Sequence, residues 1–196
     1  INKNKSNEAF VGDLYQMFFG RARGSGEGQA WINELNAGVK NREQVFNGFV
    51  NSQEWANICF KYGIKSGGTA TPSIRLEPSA EIIDFATRLY TTCLCRNADS
   101  TGLNDWAHRL ANRQISGSDA ARGFFFSAEF MNDSSIDNAE YINRLYQTFM
   151  GRPADQGGFD DWMNRMNNGA TREDVFNGFA GSQEWANICS SYGILK

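Results

Sequence analysis

Arg42-Glu-Gln-Val-Phe-Asn-Gly-Phe-Val-Asn-Ser-Gln-Glu-Trp-Ala-Asn-Ile-Cys-Phe-Lys-Tyr-Gly-Ile64 returns almost unchanged as Arg172 to Ile194. Across those 23 positions only Gln44/Asp174, Val50/Ala180, Asn51/Gly181, Phe60/Ser190 and Lys61/Ser191 differ. A weaker third copy lies between, where Gly123-Phe-Phe-Phe-Ser-Ala-Glu-Phe130 answers Gly48 to Trp55 and Gly178 to Trp185. A repeated unit sets the architecture before any single motif is weighed. Arginine also precedes tryptophan by ten residues in every copy, as Arg21/Trp31, Arg96/Trp106 and Arg152/Trp162. The reading is therefore an all-α chain of three tandem repeats, each of about four short helices.

Apolar residues at helical spacing carry that reading. In the first repeat Phe10, Leu14, Met17 and Phe18 mark one helix, and Trp31, Ile32 and Leu35 a second. Val45, Phe46 and Phe49 mark a third, and Trp55, Ile58 and Cys59 a fourth that Ser52 caps. The expected divisions are 1–65 for repeat one, 66–80 for a linker, 81–131 for repeat two and 132–196 for repeat three. Residues 65–80 hold two of the three prolines and no sustained period, so a linker or a surface strap is expected there. The long linker and the short joint at 132–138 make repeats two and three the closer pair.

The 196 residues carry 41% hydrophobic side chains, enough for a core, and a net charge of -3, which disfavours a nucleic-acid partner. No apolar run approaches the roughly 20 residues of a membrane span. The chain opens on Ile1 rather than Met and reads as a piece of a longer protein. Cys59 and Cys189 occupy matching places in the outer copies, while Cys93 and Cys95 sit together in the middle one. The expected pairing bonds each outer cysteine to one of the central two, a disulfide staple that implies export to the cell surface or beyond. Free thiols and a zinc site are the alternatives; a CxC with two distant cysteines matches zinc spacing poorly.

Leu89-Tyr90, Arg96, Asp99, Gly102-Leu103 and Trp106 form a run that Leu145-Tyr146, Gly151-Arg152, Asp155, Gly158-Phe159 and Trp162 repeat. With the later Phe-x-x-Ser-x-Glu-Phe/Trp, this pattern resembles the bacterial domain-of-unknown-function family number 4214. Repeat one departs from it, with Gly24 and Glu27 where the Asp and Gly stand. The resemblance implies helical modules similar to phycobilisome-linker domains, found in secreted or surface proteins beside enzymes or adhesive modules. It implies no activity.

Each chemical motif has a plain alternative. Arg21, Arg96 and Arg152 recur with Glu54, Glu129 and Glu184, and a structural ion pair is favoured over a ligand clamp. Partly buried, such a pair would cost roughly 3 kcal/mol to break by Arg152→Met. Asn97, Asp99, Thr101, Gly102 and Asp105 follow a calcium-loop spacing, but His108 stands where the closing carboxylate belongs, and helix capping by Asp99 and Asp155 suffices. His108 is expected on an exposed helix face without a catalytic partner. Asp160 and Asp161, adjacent on a helix, diverge by about 100° and share no site. The expectation is a protein without enzymatic activity, cofactor or metal.

Binding remains. Gln53 and Asn57 flank Trp55, and Gln183 and Asn187 flank Trp185, whereas the middle copy has Ala128 and Asn132 around Phe130. Amides beside a ring suit a sugar, pairing its hydroxyls while the ring covers its apolar face. These six residues are the candidate ligand-binding set, for polysaccharide or another glycan. The competing reading is a protein–protein interaction scaffold inside a larger secreted or surface protein.

Overall fold

The computed structural model describes residues 5–196. Those residues form twelve α-helices and no strand. They divide into two compact units, Ile1–Arg75 and Leu76–Lys196. The first unit holds α1 (Asn7–Phe19), α2 (Gln29–Asn36), α3 (Arg42–Val50) and α4 (Gln53–Tyr62). The second holds α5 (Ala80–Arg88), α6 (Ser100–Ala111), α7 (Gly117–Phe125) and α8 (Ala128–Met131), then α9 (Asn138–Leu145), α10 (Gln156–Asn167), α11 (Arg172–Gly181) and α12 (Gln183–Tyr192). The all-helical, three-repeat expectation therefore holds.

Helix starts are written into the chain. Every helix but α2 begins on a Ser, Thr, Asn or Asp side chain that accepts a backbone N–H of the first turn. Asn41 with Gln44, and Thr171 with Asp174, complete reciprocal capping boxes on the two matching helices. Glycine in the left-handed region closes α1, α4 and α12, at Gly20, Gly63 and Gly193.

Phe10, Val11, Leu14 and Phe18 of α1 pack with Ile32, Leu35, Val45 and Phe49 to make the first unit's core. In the second unit a single core runs through both repeats, joining Phe85, Leu110 and Phe125 to Tyr141, Phe149, Phe176 and Trp185. What joins the two repeats is a pair of wider helical turns. α5 runs into a π turn at Leu89–Cys93, and α9 into another at Tyr146–Met150. There Thr92 and Thr148 share a hydroxyl hydrogen bond of 2.9 Å. Arg88 Nε donates to the Thr148 carbonyl at 3.2 Å, and Arg144 donates to the Cys93 carbonyl at 2.8 Å. At the corresponding places α1 has Asp13, paired with Lys5, and Met17, which is 61% exposed.

The expected disulfide staple is absent: Cys59, Cys93, Cys95 and Cys189 are all free thiols. Cys59, Cys93 and Cys189 are buried as small apolar core residues, and Cys95 is exposed in the left-handed conformation that Gly20 and Gly151 adopt in the other repeats. Without the staple, the cysteines no longer point to export. Residues 63–79 form no helix, and much of that segment lies against α4 as a strap.

Candidate functional site

Residues common to all three repeats have structural partners. The arginines lie over tyrosine rings, with Arg21 5.2 Å from the centre of Tyr15, Arg96 5.0 Å from Tyr90 and Arg152 5.4 Å from Tyr146. Each fork then donates twice to a glutamate in the first turn of its repeat's fourth helix. Arg21 reaches Glu54 at 3.0 and 3.1 Å, Arg96 reaches Glu129 at 2.6 and 3.1 Å, and Arg152 reaches Glu184 at 3.1 Å for both bonds. The paired tie expected from the sequence is present. Its energy is smaller than expected, because Arg152 and Glu184 keep 41% and 47% of their side chains exposed. An ion pair so exposed contributes about 1 kcal/mol or less.

Asp99 and Asp155 cap α6 and α10, accepting the amides of Gly102 at 2.7 Å and Gly158 at 2.9 Å. The Gly158 bond is the first cause holding the Asp155 carboxyl below its usual range. Both glycines lie under a tyrosine tip: a Cβ on Gly102 would meet the Tyr90 hydroxyl at 2.6 Å, and one on Gly158 would collide with that of Tyr146. The first repeat builds this loop otherwise. Glu27 accepts the Gly24 amide at 2.8 Å and also binds Arg21 at 2.7 Å, and the Arg21 bond is the larger cause depressing its pKa. Among the described residues, no group of three or more His, Cys, Asp or Glu could hold a metal ion.

His108 departs from expectation. Its side chain is only 14% exposed, its Nε2 lies 3.7 Å from the Glu77 carboxylate, and its Nδ1 is buried without a hydrogen-bond partner. Leu76 and Asn112 bond in both directions close by, so the segment after the strap is held to α6.

The six candidate ligand-binding residues separate into two different arrangements. On α4 the amides are engaged by the chain itself. Gln53 Nε2 donates to the Thr71 carbonyl at 2.5 Å, and Asn57 Oδ1 accepts the Ser73 amide at 2.8 Å. Asn51, at the end of α3, accepts the Thr69 amide at 2.9 Å, and Trp55 Nε1 donates to the Ser66 carbonyl at 2.8 Å. Four residues of the first repeat thus grip this segment by its backbone; it bends at residues 67–69, and Pro72 biases Thr71 toward an extended conformation. Gly68 fits only because it has no side chain, since a Cβ there would collide with the Val50 carbonyl.

On α12 the same amides face solvent. Gln183 donates to Asn187 at 2.9 Å, as Gln53 does to Asn57 at 3.1 Å, and both residues are exposed. Trp185 offers no ring to a ligand: it is fully buried against Phe85 and Phe149, with Nε1 donating to Ser118 at 2.8 Å. The candidate set does not include Asn51, which grips the strap, or the strap's own Ser66, Thr69, Thr71 and Ser73. One signal pointed to them: Asn51, which holds Thr69, is among the few places where the two long copies differ.

These modules match a family model described as Domain of unknown function (DUF4214), over residues 1–59, 78–134 and 121–189. The chain belongs to that family. No curated protein and no solved structure matches it.

Proposed function

We propose that this chain is a non-catalytic interaction module whose ligand is extended polypeptide. One observation carries the reading: α4 and the end of α3 grip residues 66–73 through their backbone carbonyls and amides. Side-chain amides supply a donor and an acceptor together, so they satisfy a peptide group as readily as a sugar hydroxyl. The residues repeated in all three modules support a non-catalytic role, since stacking, capping and the Arg–Glu tie occupy them. Glycan binding is the weaker reading: Trp185 has no free face, and Gln53 and Asn57 are already bonded.

The test is calorimetry of the chain against soluble polysaccharides and against an array of uncharged extended peptides. Peptide binding without polysaccharide binding is expected. Polysaccharide binding that disappears in Asn57→Ala/Asn187→Ala would overturn the proposal, as would binding of neither class.

A further inference from the structure

The exposed face of α12 repeats the strap's seat almost residue for residue. α4 and α12 differ only at Phe60/Ser190 and Lys61/Ser191. On α4 the strap is in place, and Ala56 is 2% exposed. On α12 Ala186 is half-buried while Gln183, Asn187 and Ser190 are exposed. Building on the polypeptide-binding reading, we infer that the α12 face built on Gln183 and Asn187 is a second seat for an extended, uncharged Ser/Thr/Gly-rich segment of a partner protein.

Geometry explains why this face selects an extended chain. Residues four apart on a helix lie on one face. Gln53 Nε2 and Asn57 Oδ1 are bonded at 3.1 Å and set a donor and an acceptor side by side, which take the Thr71 carbonyl and the Ser73 amide on either side of Pro72. Proline biases the residue before it toward an extended conformation, and Gln183 with Asn187 presents the same pair at 2.9 Å. The seat is shorter than the first. Gly181 replaces Asn51, and Trp185 Nε1 is taken by Ser118, so the contacts to Thr69 and Ser66 have no counterpart and only the Gln183–Asn187 pair remains; the Gly181 carbonyl accepts from Lys196 at 2.9 Å. That ammonium favours an uncharged ligand over a cationic one. The strap itself supplies the ligand's chemistry, since Ser66-Gly-Gly-Thr-Ala-Thr-Pro-Ser73 has no charged residue.

The probe is that eight-residue peptide, capped at both ends, titrated into the isotopically labelled chain. Side-chain amide resonances of Gln183 and Asn187 are expected to shift saturably, with a dissociation constant on the order of 1 mM for so few hydrogen bonds. Those of Gln53 and Asn57 should stay in place under their own strap. Gln183→Ala/Asn187→Ala, both exposed and so compatible with an unchanged circular-dichroism spectrum, should abolish the response. A peptide whose last residue is proline lacks the N–H that Asn187 would accept, and should bind at least about fivefold more weakly. Absence of any shift, or shifts that survive the double change, would overturn the seat. Sedimentation showing a dimer that Asn187→Ala dissociates would also overturn it, by making a second copy the occupant. If array-selected peptides still bind elsewhere, the seat falls alone; if no peptide binds, the functional reading falls with it.

Discussion

Gly48, Gly123 and Gly178 occupy one position in three helices, and each faces the tryptophan of its own repeat. A Cβ on Gly48 would come within 2.7 Å of Trp31, and one on Gly178 would collide with Trp162. At Gly123 the nearest Trp106 atom would be 3.6 Å away, an ordinary contact. Each ring also carries a cation over it, with Lys40 4.3 Å from the Trp31 centre, Arg109 4.7 Å from Trp106 and Arg165 4.8 Å from Trp162. Trp162 is also stacked on Phe179 of α11, 5.4 Å between ring centres. Gly123→Ala is expected to stabilise by up to about 1 kcal/mol, the helix-propensity gain. Gly178→Ala should lose that gain to overpacking, falling behind Gly123→Ala by about 1–3 kcal/mol. Thermal melts of the two variants compare them directly. Equal stabilisation would mean that the Trp162 ring swings away freely. The spacing of these residues is plain in the sequence. Which aromatic each glycine accommodates is not, because that depends on the crossing of two helices.

At the level of elements, the pairing of repeats two and three rests on the π turns. Thr148 is fully buried, and its hydroxyl meets Thr92 across the two repeats. The first repeat places Met17 there, beside Asp13 where the others have Arg88 and Arg144. It has neither the hydroxyl nor the arginine that reaches a partner carbonyl. Thr148→Met introduces a longer chain into a filled site and removes the hydroxyl that meets Thr92, which keeps its 2.7 Å bond to the Arg88 carbonyl, so a destabilisation of about 1–3 kcal/mol from overpacking is expected. Chemical denaturation followed by tryptophan fluorescence would measure it, and an unchanged midpoint would show that the two repeats do not depend on this contact. The helices themselves were legible because caps and apolar spacing are local. The π turns were not, since a run such as Leu89-Tyr-Thr-Thr-Cys93 reads equally well as α-helix. The candidate site was half legible. Gln53, Asn57, Gln183 and Asn187 stood out as shared amides, but the strap contributes through its backbone, which leaves little mark on side-chain pattern.

For the whole molecule, the cysteines separate what counting reveals from what packing decides. Matching positions in the outer copies suggested bridges, yet cysteine at an inward helical position acts as a small apolar residue, and its direction is set by the core. Burial pushes the Cys59 and Cys93 thiols up and that of Cys189 up to about 12, and it raises the phenol of Tyr141 as well. All are neutral acids that ionise more readily in the unfolded chain, where a thiol titrates near about 8.5. Their contribution to stability is therefore complete below that value and is lost as pH rises toward the folded-state values. The melting temperature should stay level from about pH 6 to 8 and fall progressively above about pH 9, where the unfolded thiols begin to release protons. The same burial predicts reactivity. Alkylation of the native chain at about pH 8 should modify Cys95 alone, because only that thiol is exposed, while denaturant should release all four. Mass spectrometry of the labelled peptides counts them. Four thiols alkylated at one rate in the native chain would show that the cores open readily, and fewer than four labelled after unfolding would restore a bridge.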